Sequence, residues 1–367
     1  MSTPSAQFPS QQSLTLLSRL LFEREGQDAA RSDMHPELLM LSRQQFDDLA
    51  TLAQLNHVLI RGIEVFRKVV CEAGDAERAE WAEAALQAER SRIDTAVLFL
   101  DEICSTFKEG GIGVCVIKSL DHWPDLGSDL DLYTDASQEE VCHLMKERFH
   151  AAIAARSWGD RLAGKWNFEI PGLPEAVEVH VGRLGQTGEQ VAIASSLLRR
   201  TRQIQVAGRS FRVTSTSDRL LISTLQRMYR HFYFRLCDIV DSAQLVESDG
   251  VDFEDLRATA TRAGIWKGTA TYLAIVSDYV KSYRGTAVEL PQMVRDAAQF
   301  GGHDVYYARG FIRVPIMPQS AKLYTSQLAG VLSKGELHNG ARLSLLPWLA
   351  TAAAVGQKLT GSDKGIW

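Results

Sequence analysis

The sequence has few cysteines and no long apolar run. Five of its 367 residues are cysteines and none of them forms a CxxC pair, which predicts reduced, buried thiols in a cytoplasm. The longest weakly polar run, residues 344–355, is too short to span a bilayer and contains Pro347. We therefore expect a soluble, cytoplasmic protein with no membrane partner.

An excess of positive charge is also absent. The formal net charge is −5, whereas a dedicated nucleic-acid binder usually has a basic surface, so a nucleic-acid partner is not expected. Residues 1–13 lack the basic and apolar segments of a signal peptide, which predicts a disordered tail. The 45% hydrophobic content is ample for a sizeable core.

What the sequence does contain is an alternation of acidic and apolar residues at 129–132, Asp-Leu-Asp-Leu. On a β-strand, Leu130 and Leu132 would face the core, while Asp129 and Asp131 would share the other face. Side chains so placed lie roughly 7 Å apart, close enough to converge on one divalent cation or on a pair. Because Asp is a poor strand former, the alternation predicts a metal site; a half-buried strand with two solvated carboxylates is the alternative.

An apolar run upstream of these acids predicts another strand. Residues 114–117, Val-Cys-Val-Ile, end at Lys118 and Ser119, and nine residues separate Ser119 from Asp129. This order resembles the nucleotidyltransferase superfamily of the polymerase β type, in which an apolar strand ends in a small pair and acid-apolar-acid-apolar follows. The resemblance implies that the N–H and hydroxyl of Ser119 hold a nucleotide phosphate. Lys118 replaces the usual Gly, which adds positive charge but removes the freedom of a Gly turn.

A third acid lies on a predicted hairpin. Residues 176–181 alternate strictly and place Glu178 and His180 on one face. Residues 165–170 alternate as well, and a Pro-Gly-Leu-Pro turn joins the two runs. The Glu-apolar-His strand is similar to one in an uncharacterised bacterial nucleotidyltransferase family with Lys-small, Asp-x-Asp and Glu-x-His motifs.

A long helix is predicted over residues 216–247. Four of its polar residues recur at helical spacing and form one stripe: Arg227, His231, Arg235 and Asp238. A solvated helix face with ion pairs is the alternative to a functional stripe. The uncharacterised family has a helix with His and a later Asp-x-Ala-x-Leu, which His231 and Asp241 match, and the resemblance assigns the family Asp to Asp241.

The other helical patterns flank this core. Residues 42–70 predict one helix, on which His57 is expected to be a surface or capped histidine and not a ligand. Residues 75–107 predict another helix, which a glycine cluster ends. A capping box predicts a helix over 137–156, and residues 204–213 predict a second hairpin.

The resemblance implies an α+β fold with a nucleotidyltransferase-type mixed β-sheet core and extensive N- and C-terminal helical additions. The expected organisation has five parts: a disordered tail at 1–13, a helical region at 14–107, the nucleotidyltransferase core at 108–215, a helical domain at 216–284, and a linker with a C-terminal helical region at 285–367.

The activity that the resemblance implies is transfer of an NMP group from an NTP to a hydroxyl, amine or acid acceptor on a small molecule or peptide, with release of pyrophosphate. Asp129, Asp131 and Glu178 would be the catalytic acids and would hold two Mg²⁺ or Mn²⁺ ions. The nucleotide would be bound by a mainly basic set: Lys118, Ser119, Lys165, Arg183, Arg227, His231 and Arg235. The alternatives are an RNA-directed or toxin-type transferase and a catalytically inactive interaction module with this fold.

Overall fold

The structure, a computed structural model, describes residues 11–22, 36–248, 250–349 and 351–352. In these residues a mixed seven-stranded sheet and a three-stranded sheet combine with many helices, so the α+β class is confirmed. The first helix begins at Gln11, within the tail predicted at 1–13, and residues 1–10 lie outside the described residues.

The large sheet is built from strands of both directions. Its members are β1 Val114–Val116, β2 Asp129–Thr134, β3 Ala152–Ile153, β4 Lys165–Glu169, β5 Ala176–Val181, β6 Thr201–Val206 and β7 Arg209–Thr214. The order across the sheet is β3-β4-β5-β2-β1-β7-β6. β2 pairs in parallel with β5, and β1 pairs in parallel with β7, whereas the other neighbours are antiparallel.

Both predicted hairpins are confirmed. β4 and β5 pair antiparallel with Lys165 opposite His180, and β6 and β7 pair antiparallel around Ala207 and Gly208. The inward half of the alternation on β2 is confirmed, because Leu130 and Leu132 are fully buried. Of the two acids, Asp129 is exposed whereas Asp131 is buried, so the alternative with two solvated carboxylates is wrong.

Helices surround the sheet. Those before it are Gln11–Phe22, Arg43–Leu55, Leu59–Glu72 and Ala76–Glu109. Those between its strands are Gln138–Phe149, Trp158–Ala163 and Val191–Leu197, with a 3₁₀ turn at Ser119–His122. Those after it are Thr216–Gln226, Leu236–Glu247, Phe253–Arg262, Trp266–Arg284, Gln292–Ala297, Ala321–Leu332 and Leu337–Ser344. The small sheet consists of β8 Tyr233–Phe234, β9 Tyr306–Ala308 and β10 Phe311–Arg313, in the order β8-β10-β9.

The single helix predicted over 216–247 is wrong. The first helix ends at Gln226, a π-helical turn spans Arg227–His231, and Phe232 adopts a left-handed backbone with φ of 54°. The chain then forms β8, which pairs with β10, before the second helix begins at Leu236. Helix propensity is overridden because pairing with a distant strand fully buries Phe234.

Other predicted helices also end earlier than expected. The helix predicted over 42–70 is two helices, because the chain breaks at His57, where φ is 53°. The helix predicted to reach 156 ends at Phe149, since His150 caps it in a left-handed conformation. Residues 285–302, predicted as a linker, contain the short helix Gln292–Ala297.

One continuous set of buried apolar residues extends from Leu14 to Leu323, so the N-terminal helices, the sheet and the later helices share a core. Among the cysteines, Cys115 and Cys237 are buried, whereas Cys71 is exposed, contrary to expectation. In the described part of the chain, no helix is both long and apolar enough to cross a membrane.

Candidate functional site

The register of β2 and β5 brings two predicted acids together. Asp131 lies opposite Glu178 in this parallel pair, and neighbouring strands are about 4.8 Å apart, so these same-face side chains are adjacent. One ligand atom each from Asp131, Glu178 and His180 lie within 4.8 Å of one another. Asp131 is 8% exposed. Asp129 is exposed and is not part of this three-residue cluster.

Lys118 reaches into the acid cluster. Its Nζ contacts Asp131 Oδ1 and lies 3.4 Å from Glu178 Oε1. Its backbone has φ of 64° and ψ of −58°, and the N–H of Ser119 donates to Ile117 O at 2.7 Å. This is a γ-turn, a rare and strained conformation for a residue with a side chain. The charge of the Lys118 ammonium therefore acts directly on the two carboxylates. Its backbone nevertheless adopts the turn that a Gly would adopt more easily at this position.

Ser119 is committed to the protein backbone. Its Oγ donates to Asp129 O at 3.1 Å and accepts from the N–H of Asp131 at 2.7 Å. Its own N–H belongs to the γ-turn. Both groups predicted to hold a phosphate therefore have backbone partners, and Ser119 instead fixes the start of β2 against the preceding turn.

Lys165 and Arg183, two of the predicted nucleotide contacts, bind other groups of the protein. Lys165 Nζ lies 2.5 Å from Glu178 Oε2 and 3.4 Å from Asp160 Oδ1, so it supports Glu178 from the sheet side. Arg183 donates to the carbonyl of Gly188 at 3.0 Å.

The acids open onto a polar pocket with a volume of about 160 Å³. Its walls contain four cationic side chains, three acidic ones and three histidines, together with smaller polar groups: Lys118, Arg227, Arg230, Arg235, Asp129, Asp131, Glu178, His57, His122, His231, Ser119, Gly127, Ser128, Gln226 and Tyr233. In a chain of net charge −5, this local excess of cationic groups favours an anionic ligand.

Three members of the predicted helical stripe line the pocket, but they do not lie on one face of a single helix. Arg227 and His231 lie on the π-helical turn, and Arg235 follows β8. Arg227 Nε lies 2.7 Å from Asp238 Oδ2, and both side chains are 3% exposed. Arg227 Nη1 is buried and has no hydrogen-bond partner among the described residues. Asp238 also accepts from the backbone N–H of Arg235 at 2.7 Å.

Burial and neighbouring charges set the protonation of the acid cluster. Burial raises the pKa of Asp131 to about 8, although Lys118 opposes this shift. Burial also acts to raise the pKa of Glu178, but Lys118, Lys165 and His180 together hold it well below its usual range. Burial lowers the pKa of His180 to about 4, so its ring is neutral at physiological pH. In this cluster Glu178 is therefore ionised, Asp131 is a carboxyl with a raised pKa, and His180 is a neutral imidazole.

His231 is also neutral in this environment. Burial, followed by the charges of Arg230 and Arg227, lowers its pKa well below the usual value. Its ring centroid lies 5.5 Å from that of Tyr233. A neutral imidazole at the pocket wall can accept a proton or a hydrogen bond.

Another group of side chains at this pocket was not predicted from the sequence. His57, predicted as a surface residue, and His122 both line it. Each offers a ligand atom that, with the Sγ of Cys237, lies within 4.8 Å of the other two. His122 follows Lys118 and Ser119 closely in the chain, and this proximity was the available signal. Arg230, Gln226 and Tyr233 were missed as well, because the broken helix was not anticipated.

Asp241, matched to the family Asp, lies behind the pocket. Its Oδ2 lies 2.5 Å from His122 Nδ1, and Arg61 Nη1 lies 2.6 Å from its Oδ1. Arg61 also pairs with Asp125 at 2.8 Å. Asp241 therefore connects an N-terminal helix to the 3₁₀ turn after β1.

Comparison of the sequence with protein-family models finds no match, and a search of curated proteins finds none either. The nucleotidyltransferase resemblance stays a prediction.

Proposed function

We propose that this protein is a metal-dependent nucleotidyltransferase that moves an NMP group from an NTP to a hydroxyl, amine or acid acceptor on a small molecule or peptide, releasing pyrophosphate. The observation that carries the proposal is the parallel register of β2 and β5, which sets Asp131 beside Glu178. Asp129 lines the same pocket two residues before Asp131. Three carboxylates on adjacent strands are the ligand type that phosphoryl-transfer sites use.

The donor set fits Mg²⁺ or Mn²⁺, because hard cations prefer carboxylate oxygens. Asp131 and Glu178 would hold such an ion, with Asp129 on the solvent side of the pocket. Bound there, it would supply charge neutralisation for the triphosphate and lower the pKa of an attacking hydroxyl. Lys165 and His180 orient Glu178 through contacts of 2.5 and 2.7 Å.

The arginines of the pocket would bind the phosphates. Arg227 offers a buried Nη1 without a partner among the described residues, and an unpaired buried donor is costly unless a ligand satisfies it. Arg230 and Arg235 add charge at the same wall. Charge-assisted hydrogen bonds to phosphate are about twice as strong as neutral ones. The cavity volume of about 160 Å³ suits a polyphosphate group better than a whole nucleotide, so the base would lie outside.

One observation favours the catalytically inactive alternative. The Lys118 ammonium contacts Asp131 and lies 3.4 Å from Glu178, so it provides the positive charge that an ion would otherwise bring. Such a pair satisfies buried carboxylates without a metal. A working enzyme requires that an incoming ion displace this ammonium. The net charge of −5 weighs against the RNA-directed alternative.

The test is a set of binding and turnover measurements on the full chain. Calorimetry with each NTP and Mg²⁺ should show binding, and pyrophosphate release should accompany it when an acceptor is present. Asp131→Asn should abolish metal-dependent NTP binding and lower pyrophosphate release by roughly 10³, because an amide cannot supply the anionic oxygen that the ion would bind. Asp135→Asn, at an exposed position just after β2, is the matched control and should behave as wild type.

Each alternative has its own outcome. A wild-type chain that binds neither Mg²⁺ nor NTP contradicts the proposal and favours the interaction module. Transfer of labelled NMP to added RNA, with no transfer to small molecules or peptides, would favour the RNA-directed enzyme. Unchanged binding in Asp131→Asn would mean that the carboxylate is only structural.

A further inference from the structure

Three side chains from distant parts of the sequence meet at one wall of the pocket. His57 lies between the helices Arg43–Leu55 and Leu59–Glu72, His122 ends the 3₁₀ turn, and Cys237 is the second residue of a helix. One ligand atom from each lies within 4.8 Å of the other two. His57 and His122 line the pocket, and Cys237 is buried behind them.

The ring of His122 is oriented as in a metal-binding histidine. Its Nδ1 lies 2.5 Å from Asp241 Oδ2, and Arg61 holds the other oxygen of that carboxylate. Its Nε2 is therefore directed away from Asp241 and lies 3.8 Å from Cys237 Sγ. Metal-bound histidines usually bond their second ring nitrogen to a carboxylate in this way, which sets the tautomer and the ring angle.

The separation of these atoms matches a tetrahedral ion. With typical Zn–N and Zn–S bond lengths, the nitrogen and sulfur ligands of a tetrahedral site are about 3.6 Å apart. The observed distance of 3.8 Å between His122 Nε2 and Cys237 Sγ is close to that value. The ring of His57 has its centroid 5.6 Å from that of His122, and its Nδ1 is buried with no hydrogen-bond partner among the described residues.

We propose that His57, His122 and Cys237 bind a zinc-class transition-metal ion. Two imidazoles and a thiolate are borderline-to-soft donors, which prefer Zn²⁺ or Co²⁺ over Mg²⁺. Binding would release the thiol proton of Cys237 and the proton of His122 Nε2 to solvent, and the divalent ion, the two neutral imidazoles, the thiolate and Asp241 together would be neutral. Arg61 and Asp125 form a further neutral pair beside them. A fourth coordination position would be available to water or to a ligand in the pocket, which His57 and His122 line.

This site is chemically separate from the acid cluster, and the inference does not depend on the proposed function. The ion would join an N-terminal helix pair, the turn that follows Lys118 and Ser119, and the helix after β8. His57 and His122 line the pocket, and Cys237 would hold them from behind. Loss of the ion should therefore loosen the pocket without removing any of its carboxylates.

Metal content tests the proposal directly. The full chain, produced in zinc-supplemented medium and washed with a mild chelator, should contain about one zinc per chain by mass spectrometry. Cys237→Ser and His122→Asn should each reduce that content at least tenfold. Cys71→Ser changes an exposed cysteine and should keep it. Asp131→Asn should also keep it, which separates this site from the nucleotidyltransferase proposal.

A spectroscopic measurement on the wild-type chain removes the ambiguity of a variant that does not fold. The chain loaded with Co²⁺ should show a thiolate-to-cobalt charge-transfer band in the near ultraviolet and the strong visible bands of tetrahedral cobalt. Absence of the charge-transfer band in wild type overturns the proposal, as does unchanged zinc content in folded Cys237→Ser.

Discussion

The acidic and basic walls of the pocket are built by different kinds of structure. The acidic wall, Asp129, Asp131 and Glu178, comes from neighbouring strands whose side chains alternate. The basic wall, Arg227, Arg230, His231 and Arg235, comes from the break between two helices. Alternation on a strand is a local property, whereas the break depends on pairing between β8 and β10, which lie far apart in sequence. The acidic side chains are thus positioned by local strand geometry, and the basic ones by a long-range strand pairing.

On the basic wall, the largest effect is expected at His231. Its ring is neutral and lines the pocket, so it is placed to accept a proton from the attacking group. We expect His231→Ala to lower turnover by roughly 10², or NTP consumption if the acceptor is unknown, with little change in the free energy of unfolding. Steady-state kinetics and thermal denaturation measure the two effects.

The matched control is His303→Ala, which changes a histidine whose side chain is 83% exposed, and it should leave turnover unchanged. If His231→Ala unfolds while its folded fraction keeps full activity, the basic wall is only a scaffold. The comparison then reduces to one functional wall.

The two walls also differ in how much of them the sequence predicts. The acidic wall was predicted residue by residue, because a two-residue period and a hairpin are visible in the sequence. That Glu178 would lie beside Asp131 was expected only from the family resemblance, since strand order is a tertiary property that alternation does not give. The sequence also did not reveal that the Lys118 side chain would lie on the acids, because that depends on a γ-turn.

Three residues of the basic wall were predicted from a continuous helix that the structure does not contain. Arg227, His231 and Arg235 have helical spacing, but a continuous helix does not carry them. Helical periodicity persists across a π-helical turn and a short strand, so the pattern gave no sign of the break. Arg230 was missed for the same reason, since it lies off the stripe of a regular helix yet lines the pocket. His57 was missed because its neighbours in space are far away in sequence.

The next effect concerns the contact of the Lys118 ammonium with the carboxylates of the acidic wall. Lys118→Gly removes the ammonium from buried Asp131 and Glu178, and breaking a buried pair costs about 3 to 5 kcal/mol. Gly also relieves the strain of the γ-turn, which is about 1 to 3 kcal/mol. We expect a net loss of roughly 2 kcal/mol in the free energy of unfolding without metal, measured by urea denaturation.

Added Mg²⁺ should restore more stability to Lys118→Gly than to wild type, since the ion no longer competes with the ammonium. Lys118→Met removes the charge but keeps the strained turn, so it should be the less stable of the two variants. If Mg²⁺ stabilises none of the three proteins, the acidic wall is a satisfied ion-pair cluster and the basic wall alone would bind a ligand.

The smallest expected effect is at Asp160, which lies on the helix Trp158–Ala163 and contacts Lys165 of β4 behind the acidic wall. Its carboxylate lies 3.4 Å from Lys165 Nζ and accepts hydrogen bonds from the hydroxyl and N–H of Ser157 at 2.7 and 3.0 Å. Burial acts to raise the pKa of Asp160, but Lys165 and Ser157 outweigh it and lower the pKa. The folded chain therefore binds its proton less readily than the unfolded chain, so this contribution to stability is present above about pH 4, the unfolded pKa, and is lost as pH falls through the lower folded pKa.

We expect Asp160→Asn to lower the free energy of unfolding by about 1 to 2 kcal/mol at pH 7, as loss of a charged hydrogen bond does. The difference from wild type should shrink as the pH falls below about 4, where the wild-type carboxylate is protonated as well. Asp135→Asn, which changes an exposed Asp just after β2, is the control and should not change stability at either pH. Urea denaturation at the two pH values measures the difference, and a constant deficit would mean that packing, rather than charge, ties Asp160 to the acidic wall.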